Sequence, residues 1–244
     1  MLGWNLMKKR IFGILISIVL IITAIPLAMV NISAVDDDGV LRIGGTLVED
    51  GQYYIDGGTP TEKPESRTEN YAYFKDGVLE LHSLKLDKRV SALISVADMD
   101  ITILLVGNNS LSGVNGETKA ISSNSDLEIV GHGKLEIYRC VTGIESTDGR
   151  ITIVDAELDI KSDHDALFGS RGISTTAAKI NAKMGSDVTK SAIRTDKGEI
   201  RFYASDIVVN ATGYGVRCNE SSNQSLFIHG GSFKATSTGS CAVI

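Results

Sequence analysis

From Phe74 onward the chain alternates apolar and polar residues in short runs that restart at a nearly constant interval. One period, Gly143 to Leu167 (GIESTDGRITIVDAELDIKSDHDAL), holds the whole pattern. A small-plus-aliphatic pair (Gly143-Ile144) leads to a polar turn, an alternating strand (Ile151, Ile153), a corner at Asp155-Ala156 and a second alternating strand (Leu158, Ile160). After the polar run Ser162 to Asp165 the pattern restarts at Ala166-Leu167. Alternation with a period of two predicts strands with one buried face.

The first strand of each period is marked by Leu79/Leu81, Ile101/Ile103, Leu127/Ile129, Ile151/Ile153, Ile173/Thr175, Ile200/Phe202 and Leu226/Ile228, with starts 22, 26, 24, 22, 27 and 26 residues apart. A second strand follows at Leu84, Leu111, Leu135, Leu158, Ile180, Ile207 and Phe233. A third apolar column runs through Ala120-Ile121, Gly143-Ile144, Ala166-Leu167, Ala192-Ile193, Gly215-Val216 and Ala242-Val243. Three strand positions per period of this length predict a three-sided solenoid. The fold class read from the pattern is all-β, a right-handed single-stranded parallel β-helix of about seven coils over residues 74–244. Helical arrays are excluded, because no stretch after residue 35 spaces its apolar residues for a helix. One coil cannot cover its own inner face, so the fold is stable only when coils stack at about 4.8 Å. No proline follows Pro64, which suits a ladder that needs every backbone donor.

Open solenoid ends are unpaired edges, and the preceding residues supply material to cover one. Residues 35–73 read as a cap: a β-hairpin over Val40 to Ile55 with its turn at Glu49-Asp50-Gly51, then an exposed Pro-, Glu- and Thr-rich loop from Gly57 to Asn70. At the other end the pattern stops inside a third strand at Ile244, which points to further coils or a packed partner. Residues 1–34 carry Lys8, Lys9 and Arg10, an apolar run from Ile11 to Ala24 and a small-residue stretch ending at Ala34. That grammar predicts a signal peptide, with a retained N-terminal membrane anchor as the alternative. Either places the body outside the cytoplasm, secreted or on the cell surface, and touching membrane only through this segment.

Charge narrows the partners. The chain has a formal charge of −6, and loss of residues 1–34 removes three positive and no negative charges, leaving −9. An acidic body disfavours nucleic acid, whose phosphates need basic patches. The three cysteines, Cys140, Cys218 and Cys241, fall out of register and read as free thiols rather than a bridge. His82, His132, His164 and His229 lie on different coils and read as surface residues of turns.

The segments DITILLVGNNSLSG (Asp100 to Gly113), SDLEIVGHGKLEI (Ser125 to Ile137), GIESTDGRITIVDAELDI (Gly143 to Ile160) and FKDGVLELHSLKL (Phe74 to Leu86) resemble exported bacterial β-helix proteins known as carbohydrate-binding domain-containing proteins. That family includes clostridial proteins that bind cellulose and acidic sugars. The resemblance implies a pectate-lyase-like parallel β-helix that binds polysaccharide, with calcium and without catalysis. The acidic loop of the family, commonly Asp-Asp-Gly-Ile, is matched here by Asp163-His164-Asp165-Ala166-Leu167, with departures at His164 and Ala166.

Two places are therefore candidates. At the corner, Asp163 and Asp165 are the expected calcium ligands, with His164 beside them and Asp148 or Glu145 as further donors, since calcium takes six to eight oxygens. The competing reading is an ordinary polar corner, in which Ser and Asp bond their own backbone. Near the cap, Tyr53, Tyr54, Tyr71, Tyr73 and Phe74 form the densest aromatic group; it reads chiefly as cap core, with Tyr53, Tyr54 and Tyr73 as the sugar-binding candidates. The leading function is a non-catalytic, extracytoplasmic polysaccharide-binding module, with calcium-assisted binding of acidic sugars. A structural stalk or adhesin that binds protein is the alternative, and a polysaccharide lyase the third.

Overall fold

A computed structural model of the chain describes residues 39–62, 70–114, 116–218 and 225–244. The apolar N-terminal segment and the middle of the Pro-rich loop lie outside the described residues. Inward residues, mostly Ile and Leu and usually two to a side in each coil, build the body. On the first side Leu79, Ile103, Ile129, Ile153, Thr175 and Phe202 stack in parallel register. The second side stacks Leu86, Leu111, Ile137, Ile160, Ala182 and Val209. Ile94, Ile121, Ile144, Leu167, Ile193 and Val216 form the third. All of these side chains are buried, and each buried aliphatic contributes on the order of 1.5–3 kcal/mol relative to exposure.

The fold is the expected β-solenoid, with six complete turns. The seventh coil has its first and second sides in Leu226–Ser237 and meets the third side through residues 241–244, by the bridge Val216 to Val243 and backbone hydrogen bonds to Gly215, Val216 and Cys218. Each coil passes from first to second side through a residue in the left-handed region: Ser83, Gly107, Gly131, Asp155, Ala177, Ala204 and Gly230. This repeated corner lets an extended strand bend without losing its ladder. Thr175 interrupts the apolar first column, and its hydroxyl donates to Ser205 Oγ at 2.9 Å, which in turn donates to the Tyr203 carbonyl. A buried hydroxyl is thereby satisfied.

Register differs from the sequence reading in the first two coils. Leu79 pairs with Ile103 rather than Ile101, and Leu111 pairs with Leu86 and Ile137 rather than with Leu84 and Leu135, because Asn109 takes the preceding inward position. Leu84 is nonetheless buried, with its N–H bonded to the side chain of Asn109. The third column begins one coil earlier than expected, at Leu93-Ile94.

The cap consists of β1 (Val40–Ile43), β2 (Thr46–Val48), β3 (Tyr53–Tyr54) and β4 (Tyr71–Lys75). Its hairpin turns at Gly44-Gly45, between β1 and β2, and not at Glu49-Asp50-Gly51, which instead leads into β3. Gly44 has φ of +58°, and a Cβ there would lie 2.5 Å from the Tyr54 hydroxyl, so the tight turn and the ring beneath it both require glycine. β1 runs antiparallel to Ala92–Ala97 and so covers the third side, with Ile43 over Ile94. β4 runs antiparallel to β5 (Val78–His82), the first parallel strand of the body, and covers the first side. The cap thus ends two parallel ladders with antiparallel strands.

Candidate functional site

The antiparallel sheet β3–β4–β5 has two unlike faces. In β4 the sequence Tyr-Ala-Tyr-Phe alternates half-buried and buried positions, so Ala72 and Phe74 point into the core while Tyr71 and Tyr73 point away from it. β5 behaves likewise, with Leu79 and Leu81 inside and Glu80 and His82 outside. Register then gathers the outward residues. Tyr53 sits opposite Tyr73, Tyr73 opposite Glu80 and Tyr71 opposite His82.

The rings of Tyr53 and Tyr73 stack with centroids 4.3 Å apart, and those of Tyr71 and His82 stack at the same separation with only 16° between their planes. Tyr53 and Tyr71 meet tilted at 5.6 Å, joining the two pairs. Glu80 Oε2 lies 2.9 Å from His82 Nε2. The result is one half-exposed aromatic surface edged by a carboxylate and an imidazole. Rings with an apolar body and a polar tip pack against the C–H face of a pyranose while their hydroxyls and the carboxylate bond its hydroxyls.

Tyr54 is different. It lies wholly buried under the Gly44 turn. Its hydroxyl accepts from Lys88 Nζ at 2.9 Å and donates to Asp56 at 3.3 Å, while Lys88 and Asp56 pair at 2.7 Å. Burial raises the Tyr54 phenol above its ordinary range and outweighs the opposing pull of Lys88. Of the three tyrosines proposed from the sequence, Tyr53 and Tyr73 are on the surface and Tyr54 is cap core. The group as a whole is not cap core, because the strand period puts only alternate rings inside. Tyr71 and His82 belong to the same surface and were missed as site residues; Tyr71 was visible two residues from Tyr73, whereas His82 required the register of β5.

Below this surface, the outward column from Glu80 continues through Leu104, Val130, Val154, Thr176, Tyr203 and His229. At the far end Tyr203 stacks on His229 at 5.1 Å, and Phe227 lies 6.3 Å from the same imidazole. Aromatic groups therefore flank an aliphatic stripe along one side of the rod, with β4 and the Tyr203 strand six ladder steps, or about 29 Å, apart.

A family model described as "carbohydrate-binding domain-containing protein" matches residues 78–243. The chain belongs to that family. No curated protein and no solved structure matches it. The family match covers the solenoid from β5 onward and leaves β3 and β4 outside, so the aromatic surface is built where a cap of this chain meets the first family coil.

The Asp163-His164-Asp165 corner is tied into its neighbours instead. Asp165 is buried and ion-pairs with Arg194, whose Nη2 and Nε both lie at 3.3 Å. Its other oxygen accepts from the Ser191 N–H at 3.1 Å. Arg194 in turn lies over the Phe168 ring at 3.8 Å and pairs with Asp196. Both oxygens of Asp165 are thus committed to neighbours in the next coil. Asp163 is exposed and faces the glycines at 116 and 185. His164 reaches toward Asp187 at 3.7 Å.

The further expected donors are also engaged. Glu145 is buried against Lys119 and Ser122, and Asp148 lies 3.8 Å from Arg171. Among the described residues no group of three or more His, Cys, Asp or Glu side chains converges. Calcium takes several carboxylate oxygens in one shell, and a donor set divided between an Arg-paired carboxylate and a separate exposed one does not fit it. Cys140, Cys218 and Cys241 are free thiols. Burial pushes the Cys140 thiol up to about 11.

Proposed function

We propose that the protein is a non-catalytic, extracytoplasmic polysaccharide-binding module whose sugar-contacting surface is the outward face of β3–β4–β5. The observation that carries this reading is the stacked pairing of Tyr53 with Tyr73 and of Tyr71 with His82, on the face that the core does not use. Family membership supports carbohydrate as the ligand class. Rings held by cross-strand partners lose little freedom on binding, which favours affinity without a deep pocket. The aliphatic stripe and the Tyr203-His229 pair on the same side suit a chain of sugars better than a single one, because a linear polymer can lie along the rod.

The test is a panel of neutral and acidic polysaccharides in solution, with and without chelator. Binding to at least one, weakened by removal of Tyr53 and Tyr73, is expected. Absence of binding to every glycan, alongside capture of a protein ligand, would favour the stalk or adhesin reading instead. Enzyme-dependent ultraviolet absorbance from polygalacturonate would replace "non-catalytic" with lyase.

A further inference from the structure

A notch opens on the same side of the solenoid, where three successive coils begin their first-side strands. Its shape follows from side-chain size. The middle coil presents Gly172 and Ser174, the coil before it presents Arg150 and Thr152, and the coil after it presents Glu199 and Arg201 in matching register. A position without a side chain between two long ones leaves a gap two ladder spacings across, about 10 Å. The gap encloses a volume of about 490 Å³. Gly172 has φ of +137°, and a Cβ on it would lie 2.8 Å from the Glu199 carbonyl oxygen, so both backbone and space keep the floor open.

The notch is basic on an acidic protein. Arg150, Arg171, Lys197 and Arg201 line it against one carboxylate, Glu199, a local net of +3. Arg201 pairs with Glu199 and Arg171 lies 3.8 Å from Asp148, which is itself largely exposed. Arg150 and Lys197 make no ion pair among the described residues. Two of the four cations thus have a carboxylate and two do not, and like charges at this spacing repel unless an anion completes them; the acidic surface elsewhere gives no general reason for them to gather here.

Resting on the polysaccharide reading, we propose that this notch is a metal-independent site for a sulfate or phosphate ester carried by the polysaccharide. Guanidinium groups pair with oxyanions bidentately, and an ammonium adds a point charge. A single carboxylate is satisfied by one guanidinium. A tetrahedral ester, with three terminal oxygens, uses cations that converge from three coils and from the turns bearing Arg171 and Lys197. The site is separate from β3–β5, so the polymer lies on the rings while its anionic substituent enters the notch.

The experiment measures binding in EDTA to dextran sulfate, dextran phosphate, polygalacturonate and unsubstituted dextran. The intact chain is compared with Arg150→Gln/Lys197→Gln, and with a charge-matched control on the second side, Lys161→Gln/Lys183→Gln. Both pairs of residues are exposed or border solvent, and unchanged melting establishes that the variants fold. The expected result is binding to the sulfate or the phosphate ester, the preferred ester identifying the substituent. Affinity falls about tenfold or more in the notch variant and is unchanged in the control. Failure to bind either ester overturns the proposal, as does an equal loss in the control or polygalacturonate binding as tight as the esters. Loss of neutral-glycan binding in Tyr53→Ala/Tyr73→Ala with ester binding intact would instead separate the two sites and leave the notch standing.

Discussion

The outward face of β3–β5 and the Asp163–Asp165 corner both hold residue types suited to sugars, yet the first presents half-exposed rings and the second is tied into the next coil. On the cap face, stacking fixes Tyr53, Tyr71, Tyr73 and His82 while each residue keeps part of its surface exposed to solvent. At the corner, Asp165 gives its oxygens to Arg194 and to the Ser191 N–H, and so joins one coil to the next. A residue type that suits a ligand is therefore not enough. What decides is whether neighbouring coils have already used its bonding capacity.

The sharpest way to break this comparison is at the corner. Asp165→Ala takes one of two carboxylate partners from the mostly buried Arg194 and leaves the Ser191 N–H without its acceptor, which costs about 2 kcal/mol and lowers the melting temperature by roughly 4–8 °C. A shift under 1 °C, read by circular dichroism, would return Asp165 to the ligand candidates. Tyr54→Phe should cost about 1 kcal/mol by removing the hydroxyl that joins Lys88 to Asp56, whereas Tyr73→Phe on the outward face should change stability by less than about 0.5 kcal/mol. Asp163→Ala belongs to the same small class. Millimolar calcium should leave the melting midpoint where it is, since a ligand that binds only the folded chain must raise it; a calcium-dependent rise abolished by Asp163→Ala would restore the metal site. Cys140, buried and with its thiol pushed up to about 11, should resist alkylation at pH 8 until the protein is unfolded, while the exposed Cys241 reacts at once.

The ladder was legible because each inward Ile or Leu had to recur once per coil for its neighbour to be covered. Leu158 and Ile160, or Ile151 and Ile153, could be placed from spacing alone. The first side slipped by two residues at Leu79 because Leu79 and Leu81 are both buried and a period of two cannot choose among equally apolar registers; the second side slipped at Leu111 because the inward position before it is held by the polar Asn109. The hairpin turn was misplaced for a related reason: Gly44-Gly45 and Asp50-Gly51 carry the same turn chemistry, and only the packing of Gly44 on Tyr54 separates them.

Sites were less legible than the ladder. Tyr53 and Tyr73 could be named from composition, but their separation from Tyr54 required the face of each strand. His82 became visible only through its pairing with Tyr71. Arg194 lies 29 residues from Asp165, and nothing local in the sequence announces that it neutralises the corner. The notch depends on Gly172 standing between Arg150 and Glu199 in register, a relation that exists only after coils stack.

The most direct test of the central claim is the affinity of Tyr53→Ala/Tyr73→Ala, compared with the unaltered chain, for whichever neutral polysaccharide binds best. Aromatic anchors at a binding surface typically cost 2 kcal/mol or more when truncated, so binding should weaken about thirtyfold or beyond while melting shows the solenoid intact. Unchanged affinity in a folded variant would contradict the assignment of sugar binding to the cap face.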